Sequence, residues 1–135
     1  MDVHSPEQRS YNMSRIKSKN TKPELLVRKW LWSRGYRYSL HSKDLPGRPD
    51  IVFSKMKKVV FVHGCFWHGH GCRYSKIPLT NTEYWIEKIA RNTERDRRVQ
   101  RLLEDSGWEV LTVWECELRK NRELTLEKVV SFLSK

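Results

Sequence analysis

The residues best suited to bind a metal lie in one glycine-rich segment near the middle of the chain, residues 63–72. Cys65, His70 and Cys72 fall close together there, and Cys116, the third of the three cysteines, follows a predicted strand. Thiolate and imidazole are the ligands that zinc prefers in a closed tetrahedral site. We therefore predict a structural zinc site with these four ligands. The alternatives are ordinary buried thiols beside an unrelated histidine, or a catalytic zinc with three protein ligands and a water.

A second set of residues has the functional groups that phosphodiester hydrolysis needs. Asp50 begins one predicted strand and His63 ends the next, so neighbouring strands could bring them to one edge, with His68 nearby. A carboxylate can hold a divalent cation, and an imidazole, with an ordinary pKa of about 6.5, can deprotonate water. Glu24, in the first turn of a predicted helix, could orient an imidazole or a metal-bound water. Each carboxylate alone is better explained as a strand-end or helix N-terminal residue, so the hypothesis requires convergence.

Aromatic residues adjoin these candidates. Phe66 and Trp67 lie side by side in the glycine-rich segment, where they could stack on bases or wedge between base pairs. Packing against the segment itself explains them equally well. Trp85, near the start of a long predicted helix, could join them or simply pack. Three further tryptophans lie on predicted apolar faces and are expected in the core: Trp30, Trp108 and Trp114.

The basic charge is concentrated in the first half of the chain. The 135 residues include 27 Lys and Arg against 16 Asp and Glu, a net charge of +11 with a pI near 9.8. Residues 9–58 carry 14 of the basic and 3 of the acidic residues, which accounts for the whole excess. A nucleic acid is the expected partner, and a solvated basic surface is the alternative. The candidate phosphate contacts include Arg15, Lys17, Lys19 and Arg48.

Composition excludes several classes of protein. A hydrophobic fraction of 38% is too high for a disordered basic tail, and the length suits one compact domain. The mean hydropathy of −0.76 and the absence of a long apolar run exclude a membrane span of about 20 residues. Three cysteines cannot all pair internally, and no signal peptide is recognisable, so we expect a reducing compartment.

The pattern of helix and strand signals predicts a mixed α/β fold, with a central sheet flanked by helices. A helix is expected to begin at Thr21-Lys22-Pro23-Glu24 and to end near Gly35. Strands are expected at 36–40, 50–54, 59–63 and 108–115, a long helix at 82–106 and a last helix from about 125. We expect residues 1–20 to form a basic arm or helix and residues 21–135 to form a single globular domain.

Two continuous motifs then resemble the very-short-patch (Vsr) mismatch repair endonucleases. They are Leu-Pro-Gly-Arg-Pro-Asp-Ile-Val-Phe at 45–53 and Val-His-Gly-Cys-Phe-Trp-His-Gly-His-Gly-Cys at 62–72. Further similar segments lie at 82–89, 92–98, 107–108 and 113–116, and Asn12-Met13 fits the family's N-terminal arm. The resemblance extends from about residue 8 to residue 120. It implies a core related to restriction endonucleases, of the PD-(D/E)xK type, with a structural zinc.

The resemblance also implies an activity. Such an enzyme would be a monomeric, Mg²⁺-dependent nickase that cuts duplex DNA on the 5′ side of the thymine in a T·G mismatch, the product of 5-methylcytosine deamination. It would act in the bacterial cytoplasm, with other mismatch-repair proteins as potential partners. The alternatives are a noncatalytic, zinc-stabilised DNA-binding module and a restriction-like nuclease with a different DNA target.

Site residues follow from the resemblance position by position. Asp50 would bind Mg²⁺ together with the backbone carbonyl of Val62, and His68 would be the general base, supported by His63 and Glu24. The implied zinc ligands are Cys65, His70, Cys72 and Cys116. The residues implied to enter the duplex beside the mismatch are Phe66, Trp67 and Trp85, with Met13 approaching from the minor groove.

The chain departs from the familiar pattern at a few positions. Val62 replaces a threonine at the metal site, so only its carbonyl can serve as a ligand. Gly69 and Gly71 stand where better-known members can have histidines. Phe61 and His63 occupy the third-strand positions where the related nuclease fold usually has an acidic residue and a lysine. Carboxylate ligands are therefore expected to be few.

Overall fold

The computed structural model describes residues 21–72 and 75–135. The elements in chain order are α1 (Lys22–Ser33), β1 (Ser39–Leu40), β2 (Ile51–Phe53), β3 (Lys58–His63), α2 (Thr82–Asp105), β4 (Glu109–Trp114), α3 (Glu115–Lys120) and α4 (Arg122–Leu133). The predicted arm at 1–20 lies outside the described residues, so the division at residue 20 stays a prediction. Among the described helices, no segment has the length and apolar character needed to cross a membrane.

The four strands form one mixed sheet in the order β1-β2-β3-β4. β1 and β3 each pair with β2 in the antiparallel sense, whereas β3 and β4 are parallel. A parallel pair needs a long crossover connection, and here that connection contains α2. The mixed α/β fold predicted from the sequence is confirmed.

Helices cover both faces of the sheet because neighbouring strand side chains point to opposite faces. One core cluster joins the sheet to α1, α3 and α4, with Val27, Ile51, Val60 and Leu126 among its members. The other lies against α2 and consists of Val52, Val59, Phe61 and Leu103. All six residues of β3 are buried, as expected for a strand covered on both faces. The carboxyl end of β3 therefore lies between two layers of helices.

The predicted start and end of α1 are confirmed. The Thr21 side chain accepts a hydrogen bond from the Glu24 N–H at 3.4 Å, and Pro23 lies in the first turn. Gly35 follows the helix with a φ of +90°, a conformation that glycine adopts without strain. This short, capped helix holds Glu24 at its first turn, where only 1% of the residue is exposed.

Some boundaries differ from the sequence prediction. β1 has two residues rather than five, and Tyr36 and Tyr38, which precede it, pack edge-on against Phe53. α3 was not predicted, and α4 begins at Arg122 rather than near 125. The missed signal is Asn121, whose side-chain oxygen accepts the Leu124 N–H at 3.1 Å as an N-cap.

Three tryptophans expected in the core lie at its margins. Trp30 and Trp108 are half-buried and pack against the outside of the two core clusters. Trp114 is half-buried as well, and its ring stacks on the ring of His70 at 3.9 Å. Large amphipathic rings are seldom buried completely, so this difference changes the packing and leaves the fold class unaffected.

Candidate active site and metal sites

Four ligand atoms meet at the carboxyl edge of β3 and β4. The two strands are parallel, with His63 opposite Trp114, so the chain leaves both strands at the same edge. The side chains of Cys65, His70, Cys72 and Cys116, here called the thiolate cluster, have their ligand atoms within 4.8 Å of one another. The Sγ atom of Cys116 is 3.3 Å from Nδ1 of His70. The backbone N–H of Cys116 donates to Sγ of Cys65 at 3.4 Å.

The thiolate cluster fits a structural zinc ion. All three cysteines are free, and three sulfurs with one imidazole nitrogen make the donor set of a closed tetrahedral site. Burial raises the pKa of the Cys65 thiol to about 12, so a cation is needed to keep this buried sulfur as a thiolate at neutral pH. The structure thus brings together the four residues that the sequence proposed as ligands.

The glycine-rich segment is held closely against α2. Gly69 has a φ of +58°, and a Cβ atom there would come within 2.7 Å of Ile89. A side chain at this position would force the Ile89 side chain or the segment itself to shift, so glycine suits this position. The amide of Asn92 donates to the Trp67 carbonyl at 3.0 Å. The Thr93 hydroxyl donates to the Ile89 carbonyl at 2.9 Å and lies 3.4 Å from the His68 carbonyl. α2 thereby positions the backbone around His68.

Two stacked histidines and one aspartate form a second cluster, the imidazole cluster of His63, His68 and Asp96. Their ligand atoms lie within 4.8 Å of one another. The rings of His63 and His68 are parallel, with centroids 3.7 Å apart. Nδ1 of His68 lies 2.5 Å from Oδ2 of Asp96. If Nδ1 carries the proton toward Asp96, the Nε2 lone pair of His68 is available to accept a proton from another group.

His63 and His68 are unequal partners. Burial, and next the neighbouring His68, lower the pKa of His63 to about 3, so its ring is neutral at physiological pH. Its Nδ1 is buried and has no hydrogen-bond partner among the described residues. His68 is partly exposed and paired with a carboxylate, so it is the better placed of the two to exchange a proton with a substrate.

A third cluster, the carboxylate cluster, contains Glu24, His41 and Asp50, with ligand atoms within 4.8 Å of one another. Oε2 of Glu24 accepts a hydrogen bond from Arg28 and lies 2.8 Å from Nε2 of His41. Oδ2 of Asp50 accepts the Val62 N–H at 2.7 Å. Burial, opposed by the Val62 N–H and reinforced by the charge and hydrogen bond of Glu24, raises the pKa of Asp50 to about 7. The two carboxyl groups are thus close enough to share a proton.

The four proposed catalytic side chains are divided between these two clusters. Glu24 and Asp50 belong to the carboxylate cluster, whereas His63 and His68 belong to the imidazole cluster. The end of β3 separates the clusters: the Val62 N–H bonds to Asp50, and the next side chain, His63, points to the opposite face. The imidazole at hydrogen-bond distance from Glu24 is that of His41. The role of Glu24 beside His63 and His68 stays a prediction.

Two members of the clusters, His41 and Asp96, were missed from the sequence. His41 follows β1, and its N–H donates to the Asp50 carbonyl at 3.2 Å. Asp96 lies in α2 on the face of Asn92 and Thr93, at helical spacing from both. The only local signals were a histidine after a two-residue strand and an acidic residue on a polar helix face, and neither pattern distinguishes a site from a surface.

A cavity of about 290 Å³ adjoins the imidazole cluster. It is lined by both stacked histidines and Asp96, and by polar side chains from α2 and β4 that include Arg97, Gln100 and Thr112. The His68–Asp96 pair therefore borders an open space rather than a sealed core.

Three aromatic rings, Phe66, Trp67 and Trp85, pack edge-to-face in an aromatic cluster. Their centroids are separated by 5.1 to 5.7 Å. Trp85 is buried, while Phe66 and Trp67 are half-buried. The two proposals for these residues, packing and base stacking, are compatible, because the rings support one another and still present partly exposed surfaces. Insertion into a duplex stays a prediction.

The basic residues proposed to contact DNA have different placements. Arg48 is exposed in the turn before β2. Lys58, one of the 14 basic residues at 9–58, is buried, and its Nζ donates to the carbonyls of Phe132 and Lys135. It therefore caps the end of α4 rather than adding to the basic surface. The other proposed contacts lie outside the described residues: Met13, Arg15, Lys17 and Lys19.

A family model described as DNA mismatch endonuclease Vsr matches residues 1–74. The chain belongs to this family. The resemblance read from the two motifs is confirmed, and family membership implies a restriction-endonuclease-like fold. It also identifies the chain as a DNA endonuclease, a hydrolase that acts on DNA.

Curated relatives of the family match over most of this chain. It is 55% identical over 117 residues to the type II nicking enzyme V.XorIIP of Xanthomonas oryzae pv. oryzae, covering 87% of this chain and 86% of the relative. It is 50% identical to the type II nicking enzyme V.NmeAIP of Neisseria meningitidis, covering 95% and 91%. The DNA mismatch endonuclease Vsr of Escherichia coli K12 is 45% identical, with 98% and 85% covered.

Proposed function

We propose that this protein is a mismatch-directed nickase that hydrolyses one phosphodiester bond of duplex DNA, on the 5′ side of the thymine in a T·G mismatch, with Mg²⁺ as the cation. The observation that carries the proposal is the placement of a buried carboxylate pair and a carboxylate-oriented imidazole on the two sides of one strand end. The names of the relatives, which include a mismatch endonuclease and nicking enzymes, support the substrate and the single-strand cut.

The carboxylate cluster is the proposed cation site. Asp50 is its central ligand, because Asp50 is buried beside Glu24 and two adjacent carboxylates need a compensating positive charge. A bound Mg²⁺ ion would neutralise phosphate charge and stabilise the leaving 3′ oxygen. The Val62 N–H holds one Asp50 oxygen in place, and a bound cation would take the place of the proton that Asp50 shares with Glu24.

Strand pairing supports the Val62 carbonyl as a further ligand. β2 and β3 pair with Ile51 opposite Val60. Two residues further out, the same register sets Pro49 opposite Val62. Proline has no N–H, and this pairing therefore offers the Val62 carbonyl no donor. The N–H and the carbonyl of one strand residue point to the same side of the strand. Since the Val62 N–H meets the Asp50 carboxylate, the carbonyl faces the same edge.

The imidazole cluster is the proposed proton acceptor. Asp96 holds His68 through Nδ1 and stabilises the positive charge that His68 acquires when it takes a proton from the attacking water. His63, neutral and stacked against His68, fixes the plane of the ring without placing a second positive charge beside it. Asp96 and His63 are therefore positioning residues for His68.

The thiolate cluster would support the segment that carries His68, and the aromatic cluster would contact the DNA. A zinc ion in the thiolate cluster would tie the segment carrying His68 to the start of α3, and so keep His68 opposite Asp96. Phe66 and Trp67, braced by Trp85, would wedge beside the mismatch. Arg48 and the basic segment before residue 21 would bind phosphates, which position a protein without reading sequence. We expect a monomer that acts in the bacterial cytoplasm.

Labelled duplexes provide the test. With zinc-loaded protein and Mg²⁺, we expect one nick 5′ of the thymine in a T·G duplex and none in the matched T·A duplex. Asp50→Asn should remove the nick while leaving the fold intact by circular dichroism. If neither the T·G nor the T·A duplex is nicked in any of several flanking sequences, the proposal is refuted. Cleavage of both strands would instead identify a restriction-like nuclease, and binding without turnover a noncatalytic module.

A further inference from the structure

Three separate elements build the carboxylate cluster. Glu24 comes from the first turn of α1, Asp50 immediately precedes β2, and His41 immediately follows β1. The antiparallel register that sets Leu40 opposite Ile51 places His41 opposite Asp50, and the His41 N–H donates to the Asp50 carbonyl at 3.2 Å. The position of His41 is therefore determined by the same sheet that positions Asp50.

The backbone of His41 turns its side chain toward Glu24. Its φ is +46°, in the left-handed region that few residues other than glycine occupy, although histidine tolerates it better than most. Such conformations persist where the surrounding structure holds them, and they concentrate at functional sites. Here the result is a distance of 2.8 Å between Nε2 of His41 and Oε2 of Glu24.

The charge balance of the cluster favours a cation. Glu24 and Asp50 are 1% and 9% exposed, and their side chains share a hydrogen bond. Arg28 contacts Glu24 from the next turn of α1 and offsets one negative charge. A second carboxylate at this depth requires further positive charge when both groups are ionised. The His41 side chain is 18% exposed, so an ion can reach the cluster from that side.

We propose that His41 is a third protein ligand of this cation, together with Glu24 and Asp50, and that its nitrogen makes the site prefer first-row transition ions such as Co²⁺ over Mg²⁺. This inference rests on the proposed function, because it concerns the cation held by Asp50. Oxygen ligands suit Mg²⁺, whereas an imidazole suits transition ions. Adjacent ligands of an octahedral ion with bonds of about 2.1 Å lie about 3 Å apart, close to the observed nitrogen–oxygen distance.

A purely structural role for His41 makes a different prediction. If His41 only held Glu24 in position through their hydrogen bond, its replacement would weaken all divalent ions alike. A ligand role predicts a loss confined to ions that favour nitrogen. His41→Gln separates the two, because the glutamine amide can still donate to Glu24 while the imidazole nitrogen is gone.

The experiment compares Co²⁺ and Mg²⁺ binding by calorimetry, with the full-length, zinc-loaded protein and no DNA. We expect His41→Gln to weaken Co²⁺ binding about tenfold and Mg²⁺ binding less than about twofold. The matched control is His68→Gln, the same substitution in the imidazole cluster, which should change neither affinity. Zinc content is measured after each titration to establish that Co²⁺ has not replaced the structural ion.

Proton NMR of the Co²⁺-bound protein provides the second readout. An imidazole bound to Co²⁺ gives strongly shifted ring resonances, which should be present in the wild type and in His68→Gln and absent in His41→Gln. His41→Asn serves as a second variant if His41→Gln folds poorly.

The inference is overturned if the shifted resonances persist without His41, if they vanish in His68→Gln instead, or if His41→Gln weakens both ions equally. Asp50→Asn keeps this failure distinct from failure of the proposed function. Should Asp50→Asn abolish ion binding while His41→Gln has no effect, only the role of His41 is refuted. Unchanged ion binding in Asp50→Asn would refute the proposed cation site itself.

Discussion

The carboxylate and imidazole clusters on the two sides of β3 contain the same kinds of side chain in opposite proportions. The first has two carboxyl groups and one imidazole, and the second has two imidazoles and one carboxyl group. Burial pushes both toward neutrality, because it raises the pKa of Asp50 to about 7 and lowers that of His63 to about 3.

What differs is how each cluster recovers a charged, reactive state. In the carboxylate cluster, both acids are buried, so ionisation of both requires a cation from outside. In the imidazole cluster, His68 and Asp96 remain partly exposed and can exchange protons with solvent or substrate. One cluster is therefore suited to hold an ion, and the other to move a proton. The predictions below test this division, beginning with the largest expected effect.

Asp50→Asn should abolish both DNA nicking and the binding of Mg²⁺ by the carboxylate cluster. We expect nicking of T·G duplexes to fall more than about a thousandfold, because loss of cation binding removes several kcal/mol of transition-state stabilisation. Calorimetry should show that Mg²⁺ binding is lost as well. Asp44→Asn, an exposed acid in the loop before β2, is the matched control and should retain both. Comparable losses in the two variants would contradict a specific role for Asp50.

His68→Gln should separate catalysis from ion binding. Removal of a general base lowers kcat by about 10²- to 10⁴-fold, whereas Mg²⁺ affinity and zinc content should stay at wild-type values. Single-turnover nicking and metal analysis of the same preparation measure both. Release of zinc from this variant would show that His68, rather than His70, is a ligand of the thiolate cluster.

Cys116→Ala should mainly reduce the zinc content and the stability of the folded protein. Loss of one thiolate opens the site that ties the glycine-rich segment to α3, so zinc content should fall and unfolding should become easier by more than about 3 kcal/mol. Denaturant titration with and without added zinc measures the change. A variant that keeps full zinc content and wild-type stability would argue against Cys116 as a ligand.

The smallest expected effect concerns the pH dependence of folding stability in the protein without divalent ions. Folding raises the pKa of Asp50 from its ordinary value of 3.8 to about 7, so the folded state favours the protonated acid. Asp50 therefore costs stability progressively as pH rises from about 4 to about 7, and the cost levels off above that. Asp50→Asn removes that penalty. Without divalent ions, the stability of the variant relative to the wild type should therefore increase by about 2.5 kcal/mol between pH 5 and pH 8.

Thermal and denaturant unfolding at the two pH values check this prediction. Added Mg²⁺ should reduce the advantage of the variant, since the ion stabilises only the wild type. A difference that is independent of pH would show that the buried charge of Asp50 is not its cause.

The sequence predicted local features well where a nearby residue produces them. Thr21, Pro23 and Gly35 predicted both ends of α1 because capping and φ preferences act within a few residues. The apolar runs predicted β2, β3 and β4. Prediction failed at α3 and at the start of α4, where the Asn121 cap was overlooked, and at β1, which has two residues rather than the predicted five.

The residue types at the site were also available from the sequence. The four members of the thiolate cluster and the acids Glu24 and Asp50 were identified from spacing, local structure and family resemblance, and the structure places them together as two compact groups. His41 and Asp96 were not identifiable, because their significance arises only from partners 17 and 28 residues away along the chain.

By itself, the sequence determined which chemistries were available: thiolates and an imidazole for a metal, carboxylates for a cation, imidazoles for a proton, and a basic first half for phosphates. Tertiary structure alone decided how those groups were divided. Adjacent residues of β3 face opposite layers of helices. At the end of the strand, the Val62 N–H donates to Asp50, whereas the side chain of the next residue, His63, stacks on His68. Burial, which no local pattern encodes, then raised the pKa of Asp50, kept the His63 imidazole uncharged and left the His68–Asp96 pair partly exposed.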